Sequence, residues 1–161
     1  MPLPADAVIR VNLAWSKDRD DAERAVSQLR GCKIFLDYPQ GRTKPPKPVV
    51  TLDEAIALAN KYEVAYFAVS NIESHLPLLG IKSLLHIAIQ LVPKIESMKG
   101  VNNMSSIIKK TGVQYLMLDK EDLWTSCGHN QSHFDAAVQA ARNHAQYNEV
   151  HLLELQGVVF T

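Results

Sequence analysis

The sequence predicts an α/β fold of the (β/α) TIM-barrel type, shortened to about six strands in a mostly parallel sheet. Three observations predict it. Short apolar runs alternate with amphipathic segments along most of the 161 residues. Several of those runs are apolar almost throughout, as strands are when both faces of a parallel sheet are buried. Polar residues recur where the runs end, at Asn12, Asp37, Ser70, Glu96 and Asp122, which in a barrel is the end that carries the chemistry. An open doubly wound sheet shares the alternation and stays open as the second arrangement. No Gly-rich phosphate loop follows any run.

Each element has a local reason. Ala7–Leu13 reads as a strand, and Asp20–Arg30 as an amphipathic helix ended by Gly31. Lys33–Asp37 is a short strand. Tyr38–Val49 holds Pro39, Gly41, Pro45, Pro46 and Pro48 and must be a loop. Thr51 followed by Glu54 is a capping-box pattern opening a helix to about Lys61. Val64–Ser70 is the third strand, Ile81–Ile87 helical, Gln90–Ile95 the fourth strand, and Met104–Thr111 a helix. Val113–Leu118, the helix His133–Gln146 and the strand Val150–Leu155 complete the order.

Composition narrows the function. A hydrophobic content of 47% can bury a real core, and one domain over residues 1–161 is expected. Lys+Arg and Asp+Glu both count 17, so no basic excess points to nucleic acid or an anionic membrane. No apolar run reaches the length of a membrane span, and Met1–Arg10 lacks the layout of a secretory signal. Two cysteines, Cys32 and Cys127, do not make a disulfide framework, so a reducing, cytoplasmic location is expected.

Lys94 and Glu96 sit two apart at the end of a strand, so their side chains leave by the same face. Asp122 closes the next apolar run. Two carboxylates and an ammonium at neighbouring strand ends can hold a divalent cation and stabilise an oxyanion. The plain alternative for Lys94 and Glu96 is an exposed ion pair, worth little. Arg10 within a buried strand needs a carboxylate such as Glu96 or Asp37. Cys127, His129 and His133 have spacings that suit zinc, but a fourth ligand is missing.

Val8-Ile-Arg10-Val-Asn12, Leu36-Asp37 with Arg42-Thr43, Val64–Ser70, Lys94-Ile-Glu96 with Gly100-Val, and Leu116-Met with Asp122-Leu occur in that order. Together they resemble the catalytic barrel of pyruvate kinase and, more broadly, the phosphoenolpyruvate/pyruvate barrel superfamily. Glu121–Gly128 and Val8–Asn12 resemble another branch, the HpcH/HpaI aldolases and citrate lyase β-subunits. The resemblance spans residues 7–156 and implies that Glu96 and Asp122 bind Mg²⁺ or Mn²⁺. It also implies that Lys94 and Arg10 stabilise oxyanion charge. Asn12, Asp37 and Ser70 are then expected to line the substrate pocket. Arg42, in the basic Pro-rich loop, is expected to attract a substrate phosphate or carboxylate, the alternative there being a solubilising surface loop.

Departures weigh on the choice. Ala14 and Tyr38 stand where the pyruvate kinase monovalent-cation site has hydroxyls, and Leu155 where that enzyme has a catalytic threonine. Only the Pro-rich loop follows Asp37, where the lid domain would be inserted. The expectation is therefore a metal-dependent lyase or aldolase acting on a pyruvate- or oxaloacetate-like 2-keto acid through an enolate. Phosphoryl transfer of the pyruvate kinase kind, or a non-catalytic binding subunit, are the alternatives. A full barrel needs eight strands, and the missing ones would lie before Val8 and after Phe160. Bare sheet edges point to a homo-oligomer.

Overall fold

A computed structural model of the chain describes residues 7–155. The elements run β1 (Val8–Asn12), α1 (Arg19–Ser27), β2 (Lys33–Tyr38), α2 (Leu52–Lys61), β3 (Tyr66–Val69), α3 (Leu76–Leu84) and β4 (Gln90–Ile95). They continue with α4 (Met98–Thr111), β5 (Tyr115–Asp119), α5 (Lys120–Ser126), α6 (Gln131–Tyr147) and β6 (His151–Leu155). Each pairing whose register is defined is parallel, and strand order in the sheet follows chain order. Parallel neighbours need crossovers, which the helices supply. The fold is thus the expected α/β, shortened barrel-type one. The strands expected before Val8 and after Phe160 fall outside the described residues.

Of the described residues, 7–70 with 81–91 form one compact unit, and 71–80 with 92–155 a second. In the first unit, β1 pairs with β2 so that Asn12 lies opposite Asp37, and β2 pairs with β3 so that Asp37 lies opposite Ala68. Leu36 and Phe67 are fully buried, beside Ala22, Val26, Ala55 and Ala59 from α1 and α2. The capping box at α2 forms as expected, with Thr51 and Glu54 satisfying each other's backbone N–H. Strand β1 departs from the expectation of a strand buried on both faces. Among the described residues it is the first strand of the sheet, with Val8 and Arg10 exposed. It also stops at Asn12, because the Asn12 side chain accepts the Ala14 N–H at 3.0 Å and turns the chain into a short 3₁₀ segment.

In the second unit, Lys94 and Ile95 pair with Met117 and Leu118, and β5 pairs with β6 from Tyr115–His151 to Asp119–Leu155. Ile95, Leu116, Leu118, Met104, Ile107, Leu123 and Ala141 form its core. Helix α4 begins at Met98, six residues before the expected Met104, because Ser97 caps it by accepting the Gly100 N–H at 3.1 Å. Gly100 is required there. A Cβ would stand 2.8 Å from the Ile72 carbonyl oxygen and 3.2 Å from Ile95 Cγ2, so only glycine lets this turn sit so close. Helix α5 was not expected from the sequence. Strand β5 ends at Asp119, and Asp122 belongs to the first turn of α5 rather than closing the strand.

Candidate metal and oxyanion site

The second unit assembles a charged cluster at the ends of β4 and β5. Lys94 and Glu96, two residues apart on extended backbone, do leave by one face, and Lys94 Nζ lies 3.1 Å from Glu96 Oε1. Carrying the register of Ile95 with Leu118 one residue further brings Glu96 level with Asp119. Lys94 Nζ is 3.9 Å from Asp119 Oδ2. The other oxygen of Asp119 caps α5 by accepting the Asp122 N–H at 3.3 Å. That cap folds the chain back and keeps Asp122 beside the strand end. One carboxylate oxygen from each of Glu96, Asp119 and Asp122 lies within 4.8 Å of the other two.

Supporting contacts hold the cluster in place. Glu96 Oε2 accepts the Asn71 N–H at 2.6 Å, and the Lys94 carbonyl accepts the Ile72 N–H at 3.1 Å. Asn71 takes the left-handed backbone (φ 56°) that turns its amide toward the carboxylate. Ser97 Oγ donates to Glu73 at 2.7 Å, and Asn103 donates to the Glu73 carbonyl at 2.8 Å. The side chains of Lys94 and Glu96 are each 5% exposed. Burial pushes the Glu96 carboxyl above its ordinary range, and the neighbouring Asp119 adds to it. The Lys94 charge and the Asn71 amide oppose that rise without overcoming it.

A Mg²⁺ ion about 2.1 Å from its ligands spaces them from about 3 Å to about 4.2 Å apart. The three carboxylate oxygens, all within 4.8 Å of one another, would draw closer around such an ion, and hard oxygen donors suit Mg²⁺ or Mn²⁺. Lys94 is the complicating group, because its ammonium occupies the space beside two of the three donors.

The first unit holds the remaining sequence-expected residues. Arg10 pairs with Asp37, its Nε donating to Asp37 Oδ2 at 2.9 Å, with the carboxylate buried and the guanidinium a third exposed. This is one of the two partners anticipated for Arg10. Asn12 spends its oxygen on the 3₁₀ cap. Ser70 is buried, and its N–H donates to the Tyr38 carbonyl at 3.1 Å. Arg42 donates to the carbonyls of Pro46 and Pro45 at 2.9 and 2.8 Å, tying the Pro-rich loop to itself.

Asp119 was missed by sequence reasoning. Its signal was its place as the first polar residue after Leu116-Met-Leu, three before Asp122, the spacing of an N-cap and its first turn. The Cys127–His129–His133 group does not assemble. Cys127 is buried with Sγ 3.4 Å from Met98 Sδ, whereas His129 packs on Trp124 and His133 is exposed. Among the described residues, only Glu96, Asp119 and Asp122 form an acidic group of metal-binding dimensions.

With this geometry in view, comparison with known proteins is direct. The HpcH/HpaI aldolase/citrate lyase family model matches residues 42–150, well over half of the chain. The chain belongs to the HpcH/HpaI aldolase/citrate lyase family. Of the two branches its motifs resemble, this is the one whose short signature lay around Asp122. Members of this family are lyases and aldolases.

Solved structures agree on the fold. Citrate synthase SbnG is similar with a TM-score of 0.72 at 12% identity, over 94% of this chain and 68% of that one. An HpcH/HpaI family protein from Burkholderia cenocepacia J2315 gives 0.68 at 14% identity, over 93% and 71%. Macrophomate synthase gives 0.67 at 13%, over 90% and 62%. At such identities the likeness is one of fold, and this chain spans roughly two thirds of each of those lengths. No curated protein matches the sequence. No helix among the described residues is long and apolar enough to cross a membrane.

Proposed function

We propose that this HpcH/HpaI family protein is a Mg²⁺- or Mn²⁺-dependent lyase or aldolase acting on a pyruvate- or oxaloacetate-like 2-keto acid through an enolate. The observation that carries the reading is the group of buried Glu96 and Asp119 with half-buried Asp122, and Lys94 beside the first two. Glu96 and Asp122 would hold the cation, with Asp119 as a third oxygen donor. When bound, the ion supplies Lewis-acid polarisation of the substrate's carbonyl and carboxylate oxygens. The residues contribute the rest. The Lys94 ammonium is an N–H donor in a low-dielectric setting, where a hydrogen bond to charge developing on an enolate oxygen is worth several times its value in water. Cleaving or forming a carbon–carbon bond next to a keto group needs that charge stabilised, because the bonding electrons move onto the oxygen.

Arg10, Asn12, Asp37, Ser70 and Arg42 keep the roles expected of them from the sequence, an oxyanion partner and substrate contacts, each to be tested by substitution. The reading also includes one domain over residues 1–161, a reducing cytoplasmic setting and a homo-oligomer. It is supported there by free Cys32 and Cys127 and by β1 and β6, the end strands of the sheet among the described residues. Light scattering on the purified chain gives the oligomer size, and a monomer would remove that part.

Enolisation can be measured without knowing the second substrate. In D₂O with Mg²⁺, the protein should exchange deuterium into the methyl group of pyruvate, followed by NMR. Chelation with EDTA and the Glu96→Gln change should each abolish exchange. Exchange no faster than in buffer alone would leave a binding or scaffold protein instead.

A further inference from the structure

The cluster contains its own cation. Lys94 Nζ sits 3.1 Å from Glu96 and 3.9 Å from Asp119, on side chains almost wholly removed from water. The same two carboxylates, with Asp122, are the donors that a divalent ion would use. An ammonium 3–4 Å from the oxygens takes up the lone pairs that a metal needs and repels a doubly charged ion at close range. We propose that Lys94 is an internal counter-ion that a divalent cation must displace from Glu96 and Asp119, and that metal loading thereby releases its ammonium to serve as the oxyanion donor.

This rests on the metal reading above and adds regulation to it. Without metal the lysine neutralises part of the cluster's charge, and the donor becomes available only when metal is present. Lysine suits the exchange because its charge is a point on a flexible four-carbon stem, with three N–H groups free to re-aim. The carboxylates stay anchored meanwhile, Glu96 by the Asn71 amide and Asp119 by its cap on α5. Only the lysine has to move.

The test is Mn²⁺ binding to the full chain, read from the EPR signal of free Mn²⁺, for the wild type and for Lys94→Met and Lys94→Gln. Circular dichroism would check that each variant is folded. If the ammonium competes, both neutral variants bind Mn²⁺ at least about tenfold more tightly than the wild type. Wild-type binding as tight as or tighter than theirs overturns displacement while leaving the metal reading standing. No binding by any of the three proteins overturns both.

A second measurement needs no variant. The Lys94 ammonium can be followed by ¹⁵N NMR, assigned through its side-chain connectivity, while Mg²⁺ is added. Displacement shifts the resonance and speeds proton exchange with water. A resonance unchanged at saturating Mg²⁺ overturns the proposal.

Discussion

Two cation–carboxylate pairings stand at strand ends in this protein, one in each compact unit, and they are built differently. In the first unit the Arg10 guanidinium meets the Asp37 carboxylate. Asp37 is 1% exposed, while the Arg10 side chain keeps a third of its surface in water. In the second unit one ammonium stands beside two carboxylates of a group of three, and both Lys94 and Glu96 are almost fully buried. The rigid, partly wet guanidinium meets its carboxylate with directed N–H groups. At Glu96 burial outweighs the Lys94 charge and the Asn71 amide and, with Asp119 adding to it, pushes the carboxyl upward. Charge that burial has left over is what a divalent cation offsets.

Removing either cation separates the two designs most strongly. Arg10→Met takes the guanidinium away from the buried Asp37 carboxylate and should cost about 3 kcal/mol in urea unfolding. Asp37→Asn leaves only a partly hydrated guanidinium and should cost about 1 kcal/mol or less. Lys94→Met should also cost about 3 kcal/mol without metal. Its loss, unlike that of Arg10→Met, should be largely recovered by Mn²⁺, beyond the gain the wild type shows. Equal recovery of both variants would remove the distinction.

A smaller effect should follow when the scaffold of the second unit is changed and its charges are not. Gly100→Ala forces a methyl group to within 2.8 Å of the Ile72 carbonyl and should cost about 2 kcal/mol. Because Asn71, next in the chain to Ile72, donates to Glu96, the variant should also weaken Mn²⁺ binding. Unchanged thermal stability would mean that the first turn of α4 gives way easily.

Glu154 offers a more exposed counterpart in the same unit, bonded by Arg142 at 2.8 and 3.1 Å and by Lys120 at 2.8 Å. The Arg142 and then the Lys120 hydrogen bonds hold its carboxyl at about 2, against an ordinary 4.5. Its stabilisation is therefore fully present above pH 4.5 and is lost as the pH falls through about 2. Solvent screening reduces the amount to about 1 kcal/mol. The Glu154→Gln variant should lose that amount at neutral pH and show a flatter acid limb. Thr51→Ala, which removes half of the α2 capping box, should cost about 1 kcal/mol in the first unit and leave metal binding untouched.

Periodicity and breakers made most of the fold legible. The apolar runs around Phe35, Phe67, Val92 and Leu116 became β2 to β5, Thr51–Glu54 became the α2 cap, and the prolines after Tyr38 became a loop. Capping residues hid what was missed. Asn12, Ser97 and Asp119 each end a strand or open a helix through one side-chain hydrogen bond, and a run of residue types does not reveal whether such a bond forms. For the same reason the run of residue types marks Asp122 as a strand end and gives Asp119 no separate role. The pairing of Lys94 with Glu96 was legible because strand geometry alone dictates it. The level of Asp119 with Glu96 depended on the parallel register, which no single run contains.

The central claim, that Glu96, Asp119 and Asp122 together hold a divalent cation, is tested most directly by water-proton relaxation in a Mn²⁺ titration of the wild type and Glu96→Gln. Enhanced relaxation that saturates for the wild type, with at least about a hundredfold weaker binding in the variant, is the expected result. Identical curves for the two proteins, or no enhancement with either, would contradict it.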